Sequence, residues 1–289
     1  MKRTSLLGKI HFLLWVIILL SSCAPTNTYV YTGPSFEQRI SEVKKIAVID
    51  DACILILPFG KDADYVSIAD TVSTESFILD STRTYLEQKG YQVSTLLSPF
   101  VCGFVTPNES FKAAQRRDAE KSDRFAPLYI SDSVYNNKEY KQALLKVIRQ
   151  IRPIFGQLMQ KDMTAQTTVL PKISFVKRQV IFDEEMLKSF KVISAATNSE
   201  IALFIIGHGG IVSTGKTVAV GLASTILSFG MLSVWPVSAL DTWAMLVDLK
   251  DGEILWSNCL RVQMNPSNRD AYAKVWPSSI LYHLPSRSN

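Results

Sequence analysis

The sequence is poor in the residues that most often build metal and redox sites. Its 289 residues include three histidines and four cysteines. One histidine falls within the first 22 residues, so His208 and His283 are the two that remain beyond that stretch, and no C-x-x-C pair is present. A metal site built from several histidines is therefore excluded, and we expect no metal and no cofactor.

A strong charge of one sign is also missing. The formal net charge is +5, and residues 1–22 contribute three positive charges and no acidic residue, which leaves about +2 for the rest of the chain. A nearly balanced chain lacks the basic surface that nucleic-acid binding requires. We therefore expect no nucleic-acid partner.

The beginning of the chain has the layout of an export signal. Three basic residues lie within the first nine, an unbroken apolar run covers 12–20, and two serines lead to Cys23. The apolar run is too short for a comfortable membrane span. The segment could be an ordinary signal peptide or a membrane anchor that happens to end in cysteine.

That more specific interpretation is lipidation of Cys23. The residues Leu20-Ser-Ser-Cys23 resemble the lipobox of bacterial lipoproteins, in which cleavage precedes the cysteine and the cysteine is then acylated. Several acyl chains on one residue hold a protein on a membrane stably. Ala24 follows, and the resemblance implies that a residue other than aspartate there favours the outer membrane. We expect a lipid-anchored protein on the bacterial outer membrane that faces the periplasm.

The three other cysteines are Cys53, Cys102 and Cys259, an odd number that allows at most one internal pair. Cys53 and Cys102 each follow a predicted strand, and the envelope is oxidising. Buried free cysteines are nevertheless common in strands, so we expect free thiols here rather than a disulfide.

Hydrophobic periodicity and turn signals predict an α/β fold with a mixed sheet. The main signals are a glycine cap at Gly90, a helix cap at Asp183 and a hairpin turn at Asp251-Gly252. A capping box predicts a further helix from Pro107, and Pro153 is expected to kink or end another. The predicted strands cover 44–49, 53–57, 91–97, 201–206, 242–249 and 253–262, and the other predicted helices cover 69–89, 138–151 and 184–196.

A P-loop pattern, G-x-x-x-x-G-K-[ST], occurs letter for letter from Gly210 to Thr217. A nucleotide-binding protein also needs an acidic residue at the end of an apolar strand to hold magnesium. Asp248 has such a position, but it leads directly into the hairpin turn. Too few residues follow the hairpin for the remaining strands and helices of a nucleotide-binding core. We interpret the motif as a coincidence and expect no nucleotide. His208 is interpreted as a locally hydrogen-bonded polar side chain, since no G-x-S-x-G nucleophile is present.

An uncharged apolar segment covers 217–240. Three structures are open for it: a buried core helix, a membrane-surface or re-entrant element, or a two-strand insertion into an oligomeric pore. A single crossing would separate the hairpin from the strands with which it should pair. We expect one helix, from about Val218 to Trp235, that packs on the sheet or a partner.

The hairpin over 246–257, LVDLKDGEILWS, resembles the "D-x-x-x-G-E-hydrophobic-L-W" end strands of a group of envelope lipoproteins. The group includes the curli-secretion channel lipoprotein, the activator lipoproteins of penicillin-binding proteins and the exopolysaccharide-export ring lipoprotein. The segments 45–49, 90–93 and 202–206 fit the same order. The resemblance implies an anticodon-binding-like α/β domain that binds partners and performs no chemistry.

The predicted organisation is a signal peptide over 1–22, a lipidated cysteine and tether over 23–43, one α/β domain over 44–265 and a C-terminal tail over 266–289. The domain contains a helical insertion at about 105–182 and the apolar segment. The leading hypothesis is a non-enzymatic accessory or scaffold protein for an envelope assembly, secretion or cell-wall synthesis machine. The alternative is a self-assembling ring or pore, with homo-oligomers as partners, and an exported enzyme comes third.

Overall fold

The structure is a computed structural model, and it describes residues 29–57, 65–100, 102, 134, 136–159, 175–176, 179–212, 238–262 and 264–287. The strands are β1 (Tyr29–Thr32), β2 (Lys45–Leu57), β3 (Tyr65–Val66), β4 (Gln92–Leu97), β5 (Phe175–Val176), β6 (Gln179–Val180), β7 (Ile201–Val212), β8 (Ala239–Asp248) and β9 (Ile254–Val262). The helices are α1 (Phe36–Glu42), α2 (Ile68–Gln88), α3 (Lys138–Met159), α4 (Glu184–Thr197) and α5 (Arg269–Ile280).

Seven strands form one mixed sheet in the order β1-β9-β8-β7-β2, with β4 and β3 both paired to β2. Strands β4 and β7 are parallel to β2, whereas the β8–β9 hairpin and β1 pair antiparallel. A separate two-stranded ribbon joins β5 and β6. The predicted α/β fold with a mixed sheet and a C-terminal hairpin is confirmed.

Helices cover both faces of the sheet because its central strands bury residues on both sides. On β2, Ile46, Val48 and Ile54 belong to a core that includes buried residues of α1, α2 and α5. Residues of the opposite parity, such as Ile49 and Leu55, belong to a second core with α3 and α4. This alternation follows the two-residue period of a strand and gives a three-layer sandwich.

The predicted helix caps are present. Asp183 accepts a hydrogen bond from the backbone N–H of Met186 at 2.7 Å at the start of α4. Gly90, with a φ of +86°, follows the end of α2. Helix α3 was expected to kink or end at Pro153, yet it continues to Met159. Among the helices of the described ranges, none is long and apolar enough to cross a membrane.

Two boundaries differ from the sequence-based expectation. The tether predicted over 23–43 is wrong for residues 29–42, because β1 pairs with β9 and α1 buries Phe36 and Ile40. The tail predicted over 266–289 contains α5, whose Trp276 is fully buried and donates a hydrogen bond to Thr242 at 2.9 Å. Both segments join the fold through contacts with strands far away in the sequence, which local patterns do not report.

The predicted free thiols at Cys53 and Cys102 are also wrong, because the two residues form a disulfide with their Cα atoms 4.9 Å apart. Cys259 is free and partly buried. The helix predicted from Pro107, the helix predicted over 218–235 and Cys23 itself lie outside the described residues.

Candidate functional site

The segment that follows Cys23 is fixed to the β8–β9 hairpin by a group of polar contacts, which we call the N-terminal clamp and define as Ser35, Arg39, Asp248 and Glu253. The Glu253 carboxylate accepts hydrogen bonds from the backbone N–H of Ser35 at 3.0 Å and from the Ser35 hydroxyl. Two residues earlier, the N–H of Gly33 donates to the carbonyl of Leu255 at 2.8 Å. The chain is therefore held at the point where β1 turns into α1.

The second half of the clamp is an ion pair. Arg39 donates from Nε to Asp248 Oδ2 at 2.7 Å, and its Nη2 donates to the same oxygen. The other oxygen, Oδ1, accepts from the backbone N–H of Lys250 at 2.9 Å. The hydrogen bonds that Arg39 donates to Asp248 are the main cause that raises the pKa of Arg39 above its ordinary value. Asp248 is 1% exposed, so this pair lies largely inside the protein, where losing one partner is costly.

The turn between the two clamp acids requires glycine. Gly252 has a φ of +80°, a conformation that side chains other than glycine rarely adopt. A Cβ atom there would also lie 2.8 Å from Leu187 Cδ2 and 3.0 Å from Phe182 Cδ2. Of the residues that carry the lipoprotein resemblance, Asp248 and Glu253 contact the N-terminal segment, and Gly252 forms the turn between them. The last member of the motif, Trp256, is fully buried in the core.

Strand β1 determines where the chain from Cys23 enters the domain. Tyr29 pairs with Cys259 and Thr32 with Trp256, so the chain before Tyr29 points toward the end of β9 at Val262. Strand registers place the ends of β2, β7 and β9 and the start of β8 together, and we call this side of the sheet the anchor end. The opposite side, with the β8–β9 turn and the starts of β2 and β7, is the turn end.

His208 lies in a row of polar residues near the anchor end. It pairs with Cys53 of β2 on one side and with Asp241 of β8 on the other. Both His208 and Asp241 are half-buried, and neither is without an interaction partner. The Cys53 sulfur is bonded to Cys102, and in that form it is not a nucleophile. This row could not be read from the sequence, because its members are separated by more than thirty residues and only strand register aligns them.

Three carboxyl groups are buried together in the sheet and the helix beside it. Asp50, Asp51 and Glu75 are at most 2% exposed. Glu75 Oε2 accepts a hydrogen bond from the Ser98 hydroxyl at 2.6 Å, and Oε1 has no hydrogen-bond partner in the described part of the chain. Neither oxygen of Asp50 has a hydrogen-bond partner in the described part of the chain.

Burial is the main cause that raises the pKa of Asp50 and of Glu75 well above the ordinary range, and the neighbouring acids raise both further. These carboxyl groups are closed to solvent, so the described arrangement gives a substrate no access to them. Within the described ranges, no group of three or more histidine, cysteine, aspartate or glutamate side chains could hold a metal ion.

The P-loop pattern begins inside a strand. Gly210 belongs to β7 and pairs with Leu55 on one side and Ala239 on the other. A phosphate-binding loop instead needs free backbone N–H groups that cradle the phosphates. The sheet position of Gly210 differs from that requirement. Lys216 and Thr217 lie outside the described residues.

Comparisons with known proteins find no matching family model and no matching curated protein. Among solved structures, the chain is similar to the "PelC dodecamer from Paraburkholderia phytofirmans", with 12% identity over 91% of this chain and 99% of that chain and a TM-score of 0.34. A point variant of the same dodecamer has 11% identity over 90% of this chain and 99% of that chain, with a TM-score of 0.32. Similarity at these scores carries no argument about the role or the assembly of this chain.

Proposed function

We propose that this protein is a lipid-anchored, non-enzymatic accessory or scaffold protein on the periplasmic side of a bacterial outer membrane. Its anchor is lipid on Cys23, and its partners are components of an envelope assembly, secretion or cell-wall synthesis machine. The N-terminal clamp is the observation that carries this proposal. It attaches the chain just after the acylated cysteine to the hairpin that resembles envelope lipoproteins.

The clamp supports an anchoring role because only a short length of chain separates it from Cys23. Five residues separate Cys23 from Tyr29, the first residue of β1. The ion pair between Arg39 and Asp248 and the contacts of Ser35 with Glu253 then fix the chain a few residues further on. A short connection of this kind keeps the domain close to the membrane, which suits a scaffold.

The disulfide supports the same compartment. Disulfides persist in the periplasm and in other oxidising environments, whereas the cytosol keeps thiols reduced. Cys53 lies in the central strand β2 and is fully buried, and Cys102 is 4% exposed. The bond closes a loop of 49 residues between them, a length for which a stabilisation of about 4 kcal/mol is typical.

The polar groups of the described domain support a structural role rather than catalysis. The three buried carboxyl groups are closed to solvent, and Glu75 accepts a hydrogen bond from the Ser98 hydroxyl. Cys53, which pairs with His208 in the sheet, has its sulfur bonded in the disulfide. Among the described residues, these three carboxyl groups and Cys53 are therefore buried or engaged in a structural contact.

Lipidation is tested by radiolabelled palmitate incorporation in cells that express the full chain. We expect Cys23→Ser to abolish labelling and release the protein from membranes, whereas Cys259→Ser, the matched control at a free cysteine, should label like wild type. Ala24→Asp should move the protein from the outer-membrane to the inner-membrane fraction on a density gradient. Full labelling of Cys23→Ser would refute the assignment.

The nature of the partner is tested by crosslinking the intact protein in its native envelope, followed by mass spectrometry. A scaffold role predicts crosslinks to another envelope protein. Crosslinks exclusively between copies of this chain would favour the alternative of a self-assembling ring or pore.

A further inference from the structure

A short turn after α5 presents two aromatic side chains to solvent. Leu281 and Leu284 are buried, and the N–H of Leu284 donates to the carbonyl of Leu281 at 3.0 Å, which closes the turn. Tyr282 and His283, the two residues between them, are exposed, and their ring centroids lie 5.1 Å apart in an edge-on arrangement. Tyr282 is 67% exposed. A tyrosine that exposes both its ring and its hydroxyl is typical of a binding surface.

The turn is held against the end of α2 by three hydrogen bonds. Lys89 takes part in two of them, because its Nζ donates to the carbonyl of Leu284 and its own carbonyl accepts from the N–H of Arg287 at 2.8 Å. In the third, the Tyr91 hydroxyl donates to the carbonyl of Pro285 at 3.0 Å. The exposed rings are therefore held in place before a ligand arrives, which lowers the entropic cost of binding.

A second tyrosine adjoins the exposed turn. Tyr85 of α2 is half-buried, and its pKa is raised above the ordinary value, first by burial and then by the neighbouring Tyr282. The Lys89 ammonium lies 5.3 Å from the centre of the Tyr85 ring, within the range of a cation–π contact. Two phenol rings and an imidazole thus meet where α2 contacts the segment after α5.

The charge around these rings is positive. The segment 281–287 contains Arg287 and no acidic residue. Burial raises the pKa of Tyr91 to about 12, and the charge of Arg287 opposes that rise, so the guanidinium lies near the Tyr91 hydroxyl. None of the ion pairs in the described part of the chain involves Arg287. Glu87 is the acid nearest to Tyr85 along α2, and side chains two positions apart on a helix do not face each other.

Exposed aromatic rings beside basic groups fit an acidic glycan. The face of an aromatic ring carries partial negative charge, which attracts the weakly positive C–H groups on the flat side of a sugar ring. Arginine and lysine bind carboxylates through charge-assisted hydrogen bonds. A cationic ligand is disfavoured, because like charges would then meet at the surface.

We propose that Tyr85, Lys89, Tyr282, His283 and Arg287, which we call the aromatic patch, bind the glycan strands of the bacterial cell wall. Tyr282 stacks on a sugar ring, and Arg287 pairs with a carboxylate of the strand. This inference rests on the proposed function, because the periplasmic location is what brings the patch to a glycan that carries carboxylates.

The patch and the lipidated segment lie at different ends of the sheet. Lys89 and Tyr91 directly precede β4, whose first residue, Gln92, pairs with Lys45 at the start of β2. The patch is therefore at the turn end, whereas the chain from Cys23 enters the domain from the anchor end. Attachment to a membrane and binding of the wall can thus occur in the same molecule.

The test is co-sedimentation of the full, processed protein with purified peptidoglycan sacculi, in a detergent without a sugar headgroup. We expect Tyr282→Ala to lower the bound fraction several-fold, whereas Tyr282→Trp, which keeps an aromatic ring, should bind like wild type. Ile181→Ala is the matched control and should also bind like wild type, because Ile181 is 57% exposed and precedes α4 on the other face of the sheet. Since both positions are exposed, all these proteins should have the same melting temperature.

The ionic part of the site has its own measurements. Arg287→Gln should lower binding several-fold and reduce its dependence on salt concentration, because salt screens charge pairs. Chitin, whose sugar rings carry no carboxylate, should retain several-fold less wild-type protein than sacculi do. Equal retention on chitin would overturn the assignment of an acidic glycan.

Three results would overturn the aromatic patch as a wall-binding site. They are equal sedimentation of wild type and Tyr282→Ala, the absence of wild-type sedimentation, and capture of wild type by phosphatidylglycerol vesicles without retention on sacculi.

The acylation state of Cys23, read from its peptide mass in the same preparation, separates this inference from the proposed function. Acylated protein that does not bind sacculi would overturn the glycan site and leave the proposed lipid anchor standing. Unacylated protein that binds sacculi through Tyr282 would overturn the lipid anchor and support the glycan site.

Discussion

Replacing Asp50 by asparagine should stabilise the protein and flatten the dependence of its stability on pH. Asp50 is fully buried, its carboxylate lacks a hydrogen-bond partner among the described residues, and Asp51 and Glu75 lie beside it. Burial raises the pKa of Asp50 well above the ordinary value, and the Asp51 charge raises it further. The folded protein therefore retains a proton that the unfolded chain loses at about pH 4.

The sign of the effect follows from this retained proton. A carboxyl group whose pKa is higher in the folded state contributes most stability below its unfolded pKa, and this contribution is lost as the pH rises toward the folded pKa. The free energy of unfolding falls by about 1.4 kcal/mol per pH unit for each proton that only the folded state retains. Between pH 5 and pH 7 the loss is about 3 kcal/mol for a group that stays protonated throughout.

Asparagine has nearly the shape of protonated aspartate and does not titrate, so Asp50→Asn removes this loss. Urea unfolding of wild type and variant at pH 5, 6, 7 and 8 measures the difference, which should grow with pH. Asp80→Asn, whose side chain is 74% exposed in the wild type, is the matched control and should leave the slope unchanged. A variant that is less stable than wild type with the same pH slope would show that Asp50 is ionised and paired in the native protein, and the reasoning would be refuted.

Three further predictions concern single side chains. Asp248→Ala should lower the free energy of unfolding by about 3 kcal/mol in urea titrations, because it leaves the clamp arginine without its buried partner, whereas Glu42→Ala at the exposed side of the clamp should cost under about 1 kcal/mol. Gly252→Ala should lower the melting temperature more than Gly90→Ala, since both glycines have positive φ and Gly252 is also crowded by side chains. Lys216→Ala should leave thermal stability unchanged, and calorimetry with magnesium-ATP should detect no binding to the wild-type protein.

Each of these three predictions has its own contradicting result. Equal losses for the Asp248 and Glu42 variants would mean that the clamp is held by its exposed contacts. Equal shifts for the two glycine variants would mean that positive φ alone accounts for the requirement. A micromolar nucleotide affinity that disappears in the Lys216 variant would restore the P-loop interpretation.

The elements that could be predicted from the sequence are those with a local physical signal. Asp183 caps α4 with a hydrogen bond to a residue three positions away, and Gly90 and Gly252 adopt positive φ where a helix and a hairpin turn end. These signals act within a few residues, so they are visible without knowledge of the fold. The hairpin and the mixed α/β fold followed from them.

The elements that were missed depend on partners far away in the chain. The four-residue strand β1 pairs with β9 more than 220 residues later, and its flanking glycine and proline resemble a tether. Strand β7 was expected to end at Ile206, but it continues through Gly207 and Gly209. These glycines are needed for close packing, because a Cβ at Gly207 would lie 2.8 Å from Ala52 Cβ and one at Gly209 would lie 2.6 Å from Ile54 Cδ1.

The disulfide and the buried acids could not be predicted from the sequence, for a related reason. Cys53 lies within β2 and Cys102 follows β4, and the bond depends on how the chain after β4 returns to β2. Asp50 and Asp51 interrupt an apolar run, which suggested two short strands, whereas β2 is one continuous strand of 13 residues. The lipid on Cys23 remains a prediction of the sequence.

Asp50 and Asp51 lie in a part of β2 whose edge also bears on how partners can bind. Strand β4 pairs with β2 as far as Ile49, and β3 pairs from Leu55, so among the described residues the edge between them lacks a neighbouring strand. Helix α2 covers part of this edge, because the Thr71 hydroxyl accepts the N–H of Ile54 at 3.0 Å. A side chain of the helix thereby satisfies a backbone donor with which another strand could otherwise pair. With that stretch partly covered by α2 and the opposite edge formed by the short β1, sheet-to-sheet pairing is disfavoured along much of the domain. If the proposed function is correct, a protein partner is more easily accommodated by the helical faces or by the turn end, and crosslinks should concentrate there.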